Sequence, residues 1–356
     1  MPDNSPHSAV PDASRTTRAV PDASRAPRTV RRRLPLAFLL RAVLRLTLSL
    51  AVLLVVSFLM IHLLPGDPVR GSLGASAPLE VVERRRAALG LDDPLLRQFL
   101  DYVGHVFSGD LGTSFLTSER VGDVIADRLP HSVSIALLGT VLAFGIAIPL
   151  GMWAAVRTDN GRRPLTRSLF SGITGTANSI PEFLYAIGLV TVFAVGLHWL
   201  PPAGMAGPSS YVLPVIALAI GPAALLARVT RVETQRELGS EYMRLARAKR
   251  LPSARLHLRH LLPNTLTATL TMGGLLLTSL ITSGVLVESV FAWPGLGQRT
   301  VEAITQQDYP VAQGVILVYG AIVLVVNFLV DLLLGFLDPR SALNAALNSV
   351  PAPEEA

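Results

Sequence analysis

The apolar part of this 356-residue sequence contains few side chains that could do chemistry. Glu182 and Glu288 could act as an acid or a base, but neither is accompanied by a nucleophile paired with a base or by a set of metal ligands. His198, His257 and His260 are dispersed or lie in basic surroundings, so we interpret them as interfacial or surface residues and expect no metal site. The motifs GxxxxGK[ST], HExxH and GxSxG and an acidic calcium loop are absent. The chain therefore does not hydrolyse ATP through a phosphate-binding loop, and we expect no cofactor.

The composition indicates a membrane protein rather than a soluble enzyme. Half of the residues are hydrophobic (50%) and the mean hydropathy is +0.48. The chain has no cysteine, and we attribute its formal charge of +6 to arginines near membrane edges, which indicates membrane topology and not nucleic-acid binding. We predict an all-α bundle of six membrane spans, each long enough to cross a hydrocarbon core of roughly 30 Å. The predicted spans lie at about residues 37–64, 133–156, 168–197, 211–227, 266–286 and 311–334.

The charge distribution in the loops orients these spans. Arginines follow the second and fourth runs, whereas residues 198–210 contain no Lys or Arg. Both termini are therefore predicted to be cytoplasmic, and the loop after span one, with helices near 79–89 and 94–107, is predicted to form a small external cap. The predicted organisation is a disordered cytoplasmic tail at 1–34, a first span at 35–64, the external loop at 65–131, a core of five spans at 132–338 with a cytoplasmic loop at 228–264, and a cytoplasmic tail at 339–356.

Residues 241–264, which we call the basic segment, separate the fourth and fifth apolar runs. Their arginines and lysine cannot lie in hydrocarbon, so this segment faces the cytoplasm. Ser240 is predicted to cap a helix that begins at Glu241, and Ser253 a second helix that runs towards Pro263. The alternative interpretation is a basic loop that only follows the positive-inside rule.

A helix pair held between two spans could pass a push from a cytosolic partner into the membrane. The small side chains of Ala246 and Ala248 are expected to let a partner's groove approach the backbone.

The basic segment resembles the EAA loop of ABC-importer permeases, most closely that of the dipeptide, oligopeptide and nickel branch, in its stretch YMRLARAKRLPSARLHLRHLLPN. It departs from that branch at Arg250, where Gly is usual and would supply a positive φ. Either Leu251 and Pro252 make the bend instead, or the two helices meet at a changed angle. The resemblance implies that contact with the ATPase is made by Glu241, Tyr242, Arg244, Leu245, Ala246, Arg247, Ala248, Lys249, Arg250 and Leu251.

Further motifs extend the resemblance over about residues 41–340. They are LPGDP at 64–68, LGLDDPLLRQF at 89–99, GDLGTSF at 109–115, RLPHSVSIAL at 128–137, ESVFAWPGLGQ at 288–298, DYPVAQG at 308–314 and DPR at 338–340. In the family, the region at 288–298 belongs to the extracellular gate. By this resemblance the gate residues are Glu288, Phe291, Pro294 and Gly295.

The sequence SIPEF in the third apolar run predicts a broken span. Pro181 removes a backbone donor, and Asn178 and Glu182 place polar groups at membrane depth. Because intramembrane carboxylates are costly and usually face a pathway, we assign Asn178, Pro181, Glu182 and Phe183 to the translocation pathway, in agreement with the SIPxF motif of the family. The alternative is a carboxyl group that only packs against a neighbouring span.

The resemblance implies a permease subunit in the plasma or inner membrane, in contact with lipid and not with nucleic acid. Its implied partners are a second homologous permease in a heterodimer, two cytosolic ABC ATPase subunits and an external substrate-binding protein. Peptides are the expected substrates, with nickel chelates or other small solutes as alternatives. An intramembrane enzyme is disfavoured because no nucleophile or metal cage is present, and an ion-driven secondary transporter because only one span is broken.

Overall fold

The computed structural model describes residues 36–63, 69–70, 77–88, 90, 92–161 and 163–337. The predicted tails at 1–34 and 339–356 and the motifs at 64–68 and 338–340 lie outside this part of the chain. The regular structure of the described residues is helical, apart from an isolated bridge between Thr113 and Arg120.

The helices follow the predicted order along the chain. Two π-helical turns, Val190–Gly196 and Leu256–Leu261, extend α6 and join α9 to α10. The helices are α1 (Leu36–Leu63), α2 (Leu79–Ala88), α3 (Leu95–Phe107), α4 (Val121–Arg157), α5 (Pro164–Ser179), α6 (Glu182–Leu189), α7 (Val212–Leu238), α8 (Glu241–Ala248), α9 (Ser253–Arg255), α10 (Leu262–Val290), α11 (Leu296–Thr305) and α12 (Tyr309–Leu337).

Four described stretches are long and apolar enough to cross a membrane, namely Phe38–Met60, Val121–Arg157, Pro208–Leu238 and Tyr309–Leu333. A fifth span results if the bent pair Pro164–Ser179 and Glu182–Gly196 is counted as one. The predicted all-α, multi-pass architecture is therefore confirmed. The count of six spans stays a prediction, and its remaining member, at 266–286, lies within the 29-residue helix α10.

The second span begins earlier than predicted. Helix α4 starts at Val121. One side of its first turns is polar, and the other side is buried and stabilises this part of the helix. Val121 and Ile125 pack there against Leu296 and Val311. Hydropathy detects only the continuous apolar run, so it misses this part of the helix.

Helices α4 and α7 run parallel and lie very close together. A Cβ atom on Gly151 of α4 would stand 2.6 Å from the carbonyl oxygen of Ala227 and 2.6 Å from Cβ of Thr230, both on α7. Only glycine permits this approach of the two backbones. In lipid, such close packing of small residues is a main source of helix association.

Helices α7 and α10 run antiparallel and are joined by buried threonines. The hydroxyl oxygens of Thr230 and Thr269 are 3.2 Å apart, and those of Thr234 and Thr265 are 3.5 Å apart. All four residues are fully buried. These two pairs fix the register of α10 on α7.

The predicted cap helices are present as α2 and α3, and Gly90 follows α2 with a φ of 66°. The N-cap position of α3 is occupied by Pro94, and no side chain caps its first turn. The Tyr102 hydroxyl of α3 donates to Ser57 Oγ of α1 at 3.2 Å, and Ser57 Oγ donates to the Gln313 carbonyl of α12 at 3.2 Å. Helix α3 is thereby attached to the pair formed by α1 and α12.

Candidate functional site

The basic segment contains a short amphipathic helix, α8, whose inner face packs against the rest of the chain. Met243 and Ala246 are buried in a cluster with Leu238, Leu256 and Leu261. Met152, near the end of α4, packs against the same cluster. Helix α8 is thus seated on the ends of α4 and α7 by apolar contacts.

This packing changes the expected role of one alanine. Ala246 was expected to face a partner, but it is 7% exposed and belongs to the inner face of α8, so that expectation is wrong. Leu245, the preceding residue, is 59% exposed and lies outside this inner face. Leu251 is half-buried. The remaining residues assigned to the ATPase contact are exposed, namely Glu241, Tyr242, Arg244, Arg247, Ala248, Lys249 and Arg250.

The bend after α8 is made by Arg250 itself. Its φ is +50°, in the left-handed region, and its backbone N–H donates to the Arg247 carbonyl at 2.9 Å. The expected alternative in which Leu251 and Pro252 make the bend is wrong, because the arginine itself adopts the conformation that glycine would have supplied; the changed angle between the two helices stays a prediction. A non-glycine residue in this region costs roughly 1–2 kcal/mol.

The second helix of the basic segment is longer than predicted. It begins at Ser253 and continues through a π-helical turn into α10 without ending near Pro263. Neither predicted serine cap forms. The Ser240 hydroxyl donates backwards to the Glu237 carbonyl at 2.6 Å, and the cap position before α9 is occupied by Pro252.

A polar chain ties the two ends of the basic segment together. The Tyr242 hydroxyl donates to the Glu237 carboxylate at 2.5 Å, and Asn264 donates to the Tyr242 hydroxyl at 2.9 Å. Burial and this bond to Glu237 raise the pKa of Tyr242 above its ordinary value of 10.0. The hydroxyl therefore stays protonated and keeps its donor role.

The same segment is attached to the end of α4. The Arg247 guanidinium lies 3.7 Å from the Asp159 carboxylate in the turn that follows α4. The preceding residue, Thr158, accepts hydrogen bonds on its hydroxyl from Arg231 at 3.2 Å and from Gln235 at 3.3 Å. The end of α4 is thus held by both α7 and α8.

The predicted break at Pro181 is confirmed. Helices α5 and α6 meet at 93°, and the Tyr185 hydroxyl donates to the Ala177 carbonyl at 2.8 Å. That carbonyl is the one to which residue 181 would donate if it were not proline, so Tyr185 supplies the missing bond.

The residues assigned to the pathway flank this break. Asn178 is exposed at the end of α5, and Pro181 is exposed at the bend. Glu182 and Phe183 are half-buried in the first turn of α6. A Cβ on Gly221 of α7 would lie 3.9 Å from a Glu182 carboxylate oxygen, so this carboxylate lies close to the backbone of α7.

The turn that joins α10 to α11 surrounds a buried carboxylate. Glu288 is 1% exposed, and its Oε2 accepts from the backbone N–H groups of Gly297 at 2.7 Å and Gln298 at 3.2 Å. A Cβ on Gly295 would stand 2.3 Å from Oε2 of Glu288, which explains why glycine is needed there. The turn closes around this carboxylate.

Helix α4 also contacts this turn. The Ser132 hydroxyl accepts from the Leu296 N–H at 2.8 Å, and the indole N–H of Trp293 donates to the His131 carbonyl at 3.1 Å. Phe291 is buried in a cluster with Trp293, and Pro294 is half-buried. The four residues assigned to the gate therefore form one packed unit with α4.

Sequence reasoning missed a second buried carboxylate nearby. Asp308 is fully buried and accepts from the Ser114 hydroxyl at 2.6 Å, the Phe115 N–H at 3.0 Å and the Arg299 guanidinium at 3.5 Å. It fastens the loop before α4 to the start of α12. The motifs that contain Ser114 and Asp308 were recognised, but nothing in the sequence pairs residues 194 positions apart.

Within the described ranges, no group of three or more His, Asp or Glu residues is placed to hold a metal ion.

Long apolar helices, a broken span and a basic segment seated between two spans define a multi-pass membrane protein of the transporter class. The family of binding-protein-dependent transport system inner membrane components matches residues 147–342, and the N-terminal part of such membrane components matches residues 35–136. The chain belongs to this family. It is a membrane permease subunit of such a transport system and not an enzyme, which confirms the class predicted from the motifs.

Curated relatives and solved structures agree with this assignment. The glutathione transport system permease protein GsiC of Escherichia coli O6:H1 (strain CFT073) is 36% identical over 304 residues, which cover 85% of this chain and 98% of that protein. GsiC of Salmonella typhimurium (strain LT2) is 35% identical over 304 residues, with the same coverage. An inward-facing structure of the MetNI methionine ABC transporter matches 60% of this chain and 96% of that chain, with a TM-score of 0.51 and 18% identity, and therefore supports the fold alone.

Proposed function

We propose that the chain forms half of the translocation pathway of an ATP-driven importer for peptides. The observation that carries the substrate class is the 36% identity to GsiC across 98% of that permease, because glutathione is itself a small peptide. In this proposal six spans cross the membrane, both termini and the basic segment are cytoplasmic, and the 288–298 turn is external.

The proposed complex has three kinds of partner, which the family resemblance implies. A second homologous permease completes the pathway, two cytosolic ATPase subunits bind the basic segments of the two permeases, and an external binding protein delivers the peptide. The exposed side of α8 supports the ATPase contact, because Leu245 projects from a surface that is otherwise basic and polar. In this proposal the Leu245 side chain enters an apolar pocket on the ATPase.

The break at Pro181 supports a pathway role for Glu182. A carboxylate at the start of a half-helix, beside the backbone of a neighbouring span, is costly in hydrocarbon and is usually retained where solute or water passes. We therefore place Asn178, Pro181, Glu182 and Phe183 on the route. Glu288, Phe291, Pro294 and Gly295 form the external gate.

Reconstitution of the complete complex tests the function and its substrate. The four kinds of subunit are placed in liposomes, and ATP-dependent uptake of labelled glutathione, a dipeptide and a nickel chelate is compared. Peptide uptake in preference to the chelate is expected. Preferential chelate uptake would assign the chain to nickel or another small solute, and uptake without the ATPase subunits would contradict the proposal in favour of a secondary transporter.

The docking surface is tested by Leu245→Asp. We expect ATPase co-purification to fall at least tenfold while insertion and thermal stability stay normal, because this side chain is 59% exposed and does not belong to the buried cluster beneath α8. Leu245→Met is the matched control and should keep the ATPase. Ala246→Asp is unsuitable as a docking probe, because it would place a charge inside the cluster beneath α8. An ATPase that still co-purifies with the Leu245→Asp variant would show that α8 is not the contact.

The pathway role is tested by Glu182→Ala. We expect altered uptake or altered preference among peptides with normal assembly of the complex. A variant that assembles poorly but transports normally per assembled complex would instead favour a packing role for this carboxyl group.

A further inference from the structure

Helix α4 has specific contacts at both of its ends. At one end, Met152 packs beneath α8, and Asp159, just after the helix, pairs with Arg247 of α8. Towards its other end, Val121 and Ile125 pack with Leu296, and about three turns into the helix the His131 carbonyl and the Ser132 hydroxyl accept hydrogen bonds from the Trp293 indole N–H and the Leu296 backbone N–H. One helix therefore connects the basic segment with the 288–298 turn.

The helix is suited to transmit displacement between these ends. It is continuous from Val121 to Arg157, and the 26 residues from Ser132 to Arg157 span roughly 39 Å at 1.5 Å per residue. Pro130 lies just before this stretch and Pro149 within it, and each removes one hydrogen bond from the helix, but Gly151, two residues after Pro149, is packed against α7 with no room for a side chain. The neighbouring helix thus braces α4 at the position where it would bend most easily.

The end of α4 near the basic segment is attached to two helices, α7 and α8. Thr158 accepts from Arg231 and Gln235, so the helix end is fixed to α7 by two bonds. Asp159 is the link to α8, which moves with the ATPase in the proposed function. Its ion pair is partly exposed, with side-chain exposures of 43% for Arg247 and 30% for Asp159, and can therefore be exchanged without opening the core.

We propose that α4 carries the displacement of α8 to the 288–298 turn, and that Asp159 is the positioning residue through which α8 engages α4. This inference rests on the proposed function, because the displacement originates in the ATPase. When α8 moves, the Arg247–Asp159 pair and the contact with Met152 shift the end of α4, and Ser132 moves the start of α11 at the far end.

Charge exchange tests the link in the complete reconstituted complex. The chain has no cysteine, so Val301→Cys on the exposed side of α11 introduces a single thiol into it, once the partner subunits are also free of accessible thiols. The rate of maleimide labelling is measured without nucleotide and with ATP and vanadate, together with peptide uptake per ATP hydrolysed. Asp159→Arg and Arg247→Asp should each reduce both the nucleotide-dependent change in labelling and the transport ratio by roughly two- to fivefold, as expected for a partly exposed ion pair.

The double exchange, Asp159→Arg with Arg247→Asp, should restore both quantities when they are normalised to the amount of ATPase that co-purifies, because Arg247 also belongs to the proposed ATPase contact. The matched control exchanges Glu233 and Arg236, which form an ion pair at 4.0 Å between two residues of α7, and it should leave both quantities unchanged.

Three results would overturn the inference. The nucleotide-dependent change in labelling could persist in both single-exchange variants, or the double exchange could fail to restore the single-exchange defects. Alternatively, labelling of Val301→Cys without any exchange could fail to respond to nucleotide while uptake is normal. Failure of the proposed function is distinguishable, because the wild-type complex would then show no ATP-driven uptake at all.

Discussion

Gly295→Ala should disrupt the packed turn between α10 and α11, because the structure leaves no room for a methyl group. The added carbon would stand 2.3 Å from Oε2 of Glu288, whereas ordinary van der Waals contact begins at 3.4 Å. The carboxylate must therefore retreat by about 1 Å, which lengthens its 2.7 Å bond from Gly297 beyond hydrogen-bonding distance. The same carbon would stand 2.6 Å from the Ser132 hydroxyl, which accepts from Leu296.

The magnitude follows from the bonds that are lost. A hydrogen bond to a charged group contributes roughly 1.5–3 kcal/mol, and overpacking adds roughly 1–3 kcal/mol, so we expect a destabilisation of about 3–5 kcal/mol. The assay is thermal unfolding of the purified complex in nanodiscs, followed by peptide uptake. The apparent melting temperature should fall by at least about 5 °C, and uptake should fall with it.

Two further variants make the result specific. Gly104→Ala in α3 is the matched control, because no atom lies within 4 Å of its added carbon, and it should be neutral or stabilising by up to about 1 kcal/mol. Glu288→Ala should reduce the cost of Gly295→Ala, since the clash is mainly with that carboxylate. A Gly295→Ala variant that melts and transports like the wild type would refute the described packing of the turn.

Two other substitutions test local conformations. Arg250→Gly should be neutral or stabilise the bend after α8 by up to about 1 kcal/mol, because relief of the left-handed strain exceeds the extra entropy of glycine. The control Lys249→Gly, at a φ of −74°, should destabilise the bend by roughly 0.5–1 kcal/mol. Hydrogen exchange of the bend measures both effects, and the opposite order would contradict the assigned conformation of Arg250. Tyr185→Phe should cost roughly 1–3 kcal/mol in thermal stability, because it leaves the Ala177 carbonyl without a donor. The control Tyr211→Phe loses only a 3.7 Å contact with the Met205 sulfur and should cost little. Equal effects of the two variants would mean that the hydrogen bond at the break contributes nothing to stability.

Features set by local chemistry could be predicted from the sequence. The break at Pro181 follows from the missing N–H, and the described apolar helices follow from runs of hydrophobic residues. Motif resemblance identified the permease class and the position of the basic segment. It also located the 288–298 turn, whose glycines prove to surround Glu288.

Features set by tertiary packing could not be predicted in this way. Ala246 is small enough to suit either face of α8, and only the position of Leu238 and Leu261 beneath the helix shows that it is buried. The conformation of Arg250 is fixed by the elements on either side of it, against its own preference. The burial of Asp308 depends on Ser114, 194 residues away, which no local pattern can indicate.

The close approach of α4 and α7 at Gly151 also affects how the protein assembles after membrane insertion. Insertion of a span depends on its overall hydropathy, which a single methyl group barely alters, while association of inserted helices in lipid depends on their fit to one another. A bulkier residue at position 151 would therefore give a polypeptide that reaches the bilayer in normal amounts with its helices unassembled. Such a defect would escape any assay of membrane targeting and would first become visible as sensitivity to quality-control proteases.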